Sequence, residues 1–247
     1  MTDPSFKRRL LLQAGAAALL APVTESRAVP AGLITRAIPR SGERLPAIGL
    51  GTYQVFDLPS SQLAGTELQA VLKRFVELGG AVVDSSPMYG HAEATTGILS
   101  SALNVRQSLF FATKVWTSGR DAGIRQMEDS FRLMQTKTID LMQVHNLLDL
   151  KTHLPVLREW KKAGRIRYLG ITHYHAGTHA ELEKLVRTGD FDFLQINYSM
   201  DEPEAETRLL PACADSGTAT LINRPFSQAG LFGKVRGKPL PPPRKTR

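Results

Sequence analysis

Apolar positions along this chain recur with a beat of about thirty residues. Short runs without polar alternation lie at 81–84, 108–115, 139–145, 166–172, 191–197 and 219–223. Between them lie stretches with apolar residues at helical spacing, at 92–103, 121–135, 153–163, 178–187 and 203–215. An earlier stretch, 62–78, carries Leu68, Val71, Leu72, Phe75 and Leu78 on one helical stripe and stops at Gly79-Gly80. A strand that is apolar at every position is buried on both faces, and a helix after each such strand predicts a parallel sheet. Two β-like pieces, 34–39 and 44–48, flank Arg40-Ser41-Gly42-Glu43 and predict a hairpin ahead of that sheet. The pattern therefore predicts an α/β fold with a parallel sheet, about six βα units and an N-terminal β-hairpin. Were the sheet an eight-stranded barrel, units of this length would extend to roughly residue 300; the pattern stops two units short of that, and a truncated or frameshifted chain is then the expectation.

Charge changes the picture only at the ends. The 247 residues carry a formal charge of +8, of which residues 1–28 hold +2 and residues 234–247 hold +6, leaving the middle neutral. Phosphate binding needs Lys and Arg clustered on a folded face, so no nucleic-acid partner is expected. Arg8-Arg9 precede a short Ala-rich run broken by Gln13 and Gly15, too short to span a bilayer, with small residues near Ala28. This resembles a twin-arginine signal, which implies the twin-arginine export machinery as a partner and a periplasmic location. The prolines after Lys238 suit an extended tail. The domain division is then 1–28 signal, 29–235 barrel domain and 236–247 Pro-rich basic disordered tail. Cys213 is the single cysteine, which excludes an internal disulfide, and its helix face with Leu209 and Leu210 suits a core position.

Candidate chemistry sits where the apolar runs end. Asp84, Lys114 and His145 close three successive strands at steps of 30 and 31 residues, and Tyr89 lies five residues past Asp84. In a parallel barrel such residues reach the C-terminal rim, the end that carries chemistry in this architecture. A tyrosine is a weak proton donor near neutrality unless its phenolate is stabilised. A lysine ammonium beside it supplies that stabilisation, and an aspartate keeps the lysine charged and oriented. A histidine on the same rim can bond a substrate oxygen. Such a group suits protonation of a carbonyl oxygen while hydride reaches the carbon.

Five segments carry a resemblance: Gly49-Leu50-Gly51-Thr52, 83–90, 112–116, 139–145 and 194–199. Their order and content resemble the aldo-keto reductases over about 34–235. The resemblance implies a (β/α)8 TIM barrel, here incomplete at about six βα units, with NADP(H) held across its rim and reduction of an aldehyde or ketone to an alcohol. It implies Tyr89 as general acid, Lys114 and Asp84 as its tuning pair, and His145 as the orienting partner. It puts Gly51, Thr52, Asp84, Thr172, His173, Gln195, Asn223 and Arg224 at the cofactor, and Trp116 and Tyr53 at the substrate. Two positions depart from the family: His173 stands where Asn is usual, and Asn223 where an aromatic residue usually stacks on the nicotinamide. The loop that grips the adenosine 2′-phosphate follows strands seven and eight, so NADP against NAD preference is open. So are the particular carbonyl and the oligomeric state.

Singly, these residues have blander readings. An isolated Asp84 suits a cap, an isolated Lys114 a solvated surface, and an isolated His145 a core position. Trp116 reads equally as core packing or pocket wall. His153, His175 and His179 read as surface residues, and Glu93 as support for a helix start. No His, Cys and carboxylate spacing here suits a metal site. No Gly-x-Gly-x-x-Gly fingerprint for a nucleotide-binding sheet is present. The alternative to an active reductase is a catalytically impaired or inactive truncated member that serves as a binding or redox-sensing subunit.

Overall fold

A computed structural model describes residues 32–239. The signal-like segment and the end of the Pro-rich tail lie outside the described residues. Two strands, β1 (Thr35–Ala37) and β2 (Arg44–Pro46), form the predicted antiparallel hairpin. Seven more form one parallel sheet in chain order: β3 (Leu50–Gly51), β4 (Val82–Asp84), β5 (Phe110–Val115), β6 (Ile139–His145), β7 (Ile166–Thr172), β8 (Phe193–Asn197) and β9 (Ala219–Asn223). The helices between them are α1 (Leu68–Glu77), α2 (Ala92–Ala102), α3 (Arg120–Leu133), α4 (Leu150–Lys162), α5 (His179–Val186) and α6 (Leu209–Ser216). A short α7 (Gly230–Val235) follows β9. The architecture is an incomplete (β/α)8 barrel, with seven strands where the apolar pattern predicts six. The seventh is β3, whose two residues pair Leu50 with Val83 and Gly51 with Asp84. Two residues are too few to show a periodicity.

Successive side chains of a strand point to opposite faces, and here both faces are buried. Outward residues such as Val115, Met142, Val144, Ile171, Leu194 and Ile196 pack with Met127, Leu157, Leu182 and Leu209 of the helices. Each such buried side chain contributes about 1.5–3 kcal/mol. Inward residues change character along the strands. At their N-terminal ends Val82, Phe110, Leu141, Tyr168 and Phe193 form an apolar floor, which Ile38 and Leu45 of the hairpin segment close from below. Glu43 holds that plug by pairing with Arg167 and by accepting from the Tyr168 hydroxyl at 2.6 Å. Burial, then the Glu43 bond, pushes the Tyr168 phenol up to about 12. Further along the strands the inward positions turn polar: Lys114, Gln143, His145, Thr172, Gln195, Asn197 and Asn223. The hairpin thus shuts the apolar end and leaves the polar end as the mouth.

Several details tie helices to sheet. Gly97 lies so close to the end of α3 that a Cβ there would sit 2.1 Å from the Leu133 carbonyl oxygen. One sequence reading is corrected here. His153 is fully buried and bonds the Thr117 carbonyl through Nε2 at 2.7 Å, because α4 turns it inward against Gly123. Glu93 lies in the first turn of α2, where its reading as support for a helix start puts it, but it is 2% exposed and its carboxyl accepts from the Thr113 hydroxyl at 2.6 Å. Burial raises its pKa.

Candidate active site

The structure brings Asp84, Tyr89, Lys114 and His145 to one mouth. Asp84 ends β4 and Lys114 lies near the end of β5; the register sets Asp84 beside Ala112, two residues before the lysine. Lys114 is 1% exposed and needs full satisfaction of its ammonium, since a buried unpaired charge is costly. It donates to Asp84 Oδ1 at 2.8 Å, Asp84 Oδ2 at 2.9 Å and the Ser85 carbonyl at 2.7 Å. Burial pulls its pKa down, but Asp84 and Tyr89 outweigh that and raise it, so the ammonium stays charged.

Tyr89 ends a 3₁₀ turn, Pro87–Tyr89, whose N-cap Ser86 accepts from the Met88 N–H at 3.2 Å. The turn swings the phenol back over the mouth, with Lys114 Nζ 5.1 Å from the ring centroid. Burial raises the Tyr89 pKa, the ammonium of Lys114 opposes that rise, and Asp84 adds to it. The sequence reading of a phenol made acidic by its lysine is therefore corrected: burial wins in the resting site, and the phenol remains protonated at neutral pH.

His145 completes the group. Its ring meets Tyr89 edge-on with centroids 6.0 Å apart, and its Nδ1 lies 3.0 Å from Ser86 Oγ. Burial, the Lys114 charge and His173 lower its pKa to about 3, so the imidazole is neutral. Tyr53 packs 5.0 Å from the Tyr89 ring and Trp116 6.3 Å from His145, centroid to centroid. Both are more than two-fifths exposed, which makes them walls of the mouth rather than core. The backbone N–H and carbonyl of Trp116 are both held by the Gln126 amide, at 2.5 and 3.1 Å.

The residues assigned to the cofactor spread along the same rim. Thr52 is buried, its hydroxyl bonded to the Asp84 carbonyl and Ser85 Oγ, both at 3.0 Å. Gly51 pairs with Asp84 in the sheet, and Thr172 with Gln195. The His173 Nδ1 turns back to accept from the Tyr174 and His175 N–H groups. Asn223 Nδ2 donates to the His173 carbonyl at 3.3 Å, and Arg224 lies 4.7 Å over the Tyr174 ring. Sequence reasoning missed Ser86, Gln143 and Asp57. Gln143 is fully buried beneath the rim, with its Nε2 3.5 Å from Gln195 Oε1. Its place two residues before His145 on one strand face was a usable signal. Nothing in sequence links Asp57 to this loop, yet its Oδ1 accepts from His91 N at 2.8 Å and Nδ1 at 2.9 Å. Among the described residues no group of three or more His, Cys, Asp or Glu could hold a metal ion.

Comparison with known proteins adds a lineage. The model of the Aldo/keto reductase family matches residues 47–247. The chain is 26% identical over 190 residues to the methylglyoxal reductase YeaE of Escherichia coli, covering 75% of this chain and 66% of that protein. It is 24% identical over 213 residues to the aldo-keto reductase YhdN of Bacillus subtilis, covering 79% and 62%. Among solved structures, an aldo/keto reductase from Klebsiella pneumoniae in complex with NADP and acetate superposes with a TM-score of 0.64 at 25% identity, covering 79% of this chain and 69% of that one. The thermostable aldo-keto reductase Tm1743 with the inhibitor epalrestat gives 0.70 at 25% identity, covering 83% and 77%. The chain spans about two thirds or less of the length of these curated relatives.

Proposed function

This chain belongs to the aldo/keto reductase family, and we propose that it reduces an aldehyde or ketone to an alcohol with NADPH, Tyr89 acting as general acid. The observation that carries the reading is the buried Lys114 ammonium, locked by both oxygens of Asp84 and 5.1 Å from the Tyr89 ring. A proton leaving the phenol creates a phenolate beside a fixed positive charge, which is stabilisation present only as the proton moves. The high resting pKa keeps the proton on Tyr89 until it is needed. His145, neutral, shares the substrate oxygen without competing for charge.

The rim fits a nicotinamide carboxamide. Gln143 Oε1 and Asn223 Oδ1 are buried acceptors without a hydrogen-bond partner among the described residues, and an amide N–H₂ is the donor such atoms lack. Thr172, Gln195 and Asn223 would hold that group, with Gly51 and Thr52 on the same rim and Arg224 as a cation for phosphate. When bound, the dinucleotide supplies hydride to the carbonyl carbon. His173 contributes through its main chain, since its Nδ1 is engaged within its own loop. Related proteins are named methylglyoxal reductases, so methylglyoxal is the first carbonyl to test. Arg8-Arg9 and the apolar run after them support export by the twin-arginine route to the periplasm, testable by fractionation of a tagged full-length chain.

The experiment is a fluorescence titration with NADPH followed by turnover with methylglyoxal and a panel of aldehydes. Saturable binding with carbonyl-dependent NADPH oxidation is expected. Binding without any turnover would favour the cofactor-sensing reading, and no binding at all would end both.

A further inference from the structure

The active-site mouth contains a hydroxyl that the catalytic group does not account for. Ser86 is fully buried, two residues past Asp84, and its Oγ has two partners among the described residues: the Met88 N–H at 3.2 Å and His145 Nδ1 at 3.0 Å. The first of these is a donor, so Oγ already accepts one hydrogen bond and retains its own proton. If Nδ1 carried a proton, Oγ would accept twice and its proton would be left buried without an acceptor, an arrangement proteins avoid. If Nδ1 is bare, the hydroxyl donates to it and every group is satisfied.

We propose that Ser86 is a positioning residue that fixes the tautomer of His145, holding Nδ1 as acceptor and the ring proton on Nε2. A neutral imidazole has one proton to place, and the bond made by one nitrogen decides the role of the other. His145 then presents an N–H donor from the ring edge away from Ser86, suited to a carbonyl oxygen and unable to take the proton meant for it. The same hydroxyl caps the turn that carries Tyr89, so one side chain sets both the direction of the phenol and the donor state of its neighbour. The burial that keeps the imidazole neutral supports this, because a protonated ring would donate from both nitrogens. The inference rests on the reductase reading for its purpose but not for its geometry.

The test is long-range ¹H–¹⁵N correlation of the histidine rings in the full chain, with His145 assigned by loss of its signals in His145→Gln. A single tautomer protonated at Nε2 is expected, turning to a mixture in Ser86→Ala and kept in Ser86→Thr. A ring protonated at Nδ1, or a pattern unmoved by Ser86→Ala, overturns the assignment; should Ser86→Ala not fold, the wild-type spectrum decides alone. In turnover, Ser86→Ala is expected to lower kcat about tenfold, the population effect of one neutral hydrogen bond, with KM for NADPH unchanged. The spectrum needs neither cofactor nor carbonyl, so failure of this assignment and failure of the reductase reading are seen separately.

Discussion

His145 shows how burial and charge set the state of a single residue. Its imidazole is held neutral down to about pH 3 by burial and by the Lys114 ammonium. An unfolded histidine titrates near 6.5, so between those values the unfolded chain binds the extra proton. Stability must then fall as pH falls through that window. From pH 7 to 5 the residue accounts for at most about 2 kcal/mol of lost stability. Urea denaturation at both pH values should show this loss in wild type and a smaller one in His145→Gln; equal losses would mean that His145 is charged or solvated in the fold. Lys114 obeys the opposite logic. Its partners outweigh its burial, so the ammonium survives inside the barrel and can serve the neighbouring phenol.

At the scale of elements, the segment that carries Tyr89 is pinned at both ends. Ser86 ties its start to His145, and Asp57, from the loop after β3, ties its end by accepting from the backbone N–H and Nδ1 of His91. Gly90 between them has φ +60°, and a Cβ there would fall 2.2 Å from Asp57 Oδ1. Asp57→Ala should therefore lower kcat about tenfold by loosening the phenol, with NADPH affinity held. Asp57→Asn, which can still accept from the His91 backbone, should recover most of the loss. Steady-state kinetics on the two variants check this, and equal rates in wild type and Asp57→Ala would show that the clamp does not govern the loop. Gly90→Ala should cost at least about 1 kcal/mol for the left-handed backbone alone, measured by denaturation.

This scale also divides what the sequence disclosed from what it hid. Six strands announced themselves as short apolar runs, β9 among them although it is only half-buried, and Asp84, Lys114 and His145 stood out as polar residues closing such runs. Strand β3 is two residues long and left no pattern. Asp57 reaches its partner 34 residues away through a loop, a contact no spacing rule encodes. His153 read as a surface residue because histidine is polar, whereas its place on α4 is set by tertiary packing against Gly123. The direction of the Tyr89 shift was hidden as well, since a sequence names the lysine but not the depth of burial.

For the whole molecule, the sheet is the governing feature. Within the described residues β3 and β9 each pair with one neighbour, leaving an outer edge on both. Strand β8 is buried throughout, whereas β9 is only half-buried, with Thr220 exposed. Unpaired edges recruit other strands, so self-association that grows with concentration is expected by light scattering across a dilution series. Thr220→Lys, placing a charge on β9, should weaken it. A scattering mass independent of concentration would show that the edges are covered in solution.

The most direct test of the central claim, a buried phenol served by a locked ammonium, is the turnover of Tyr89→Phe with NADPH and an aldehyde, measured beside its NADPH affinity. The predicted result is a kcat lower by at least about 10²-fold with binding within about twofold of wild type, since the ring stays and only its proton is lost. Turnover equal to wild type would contradict the account, because the proton would then come from another group.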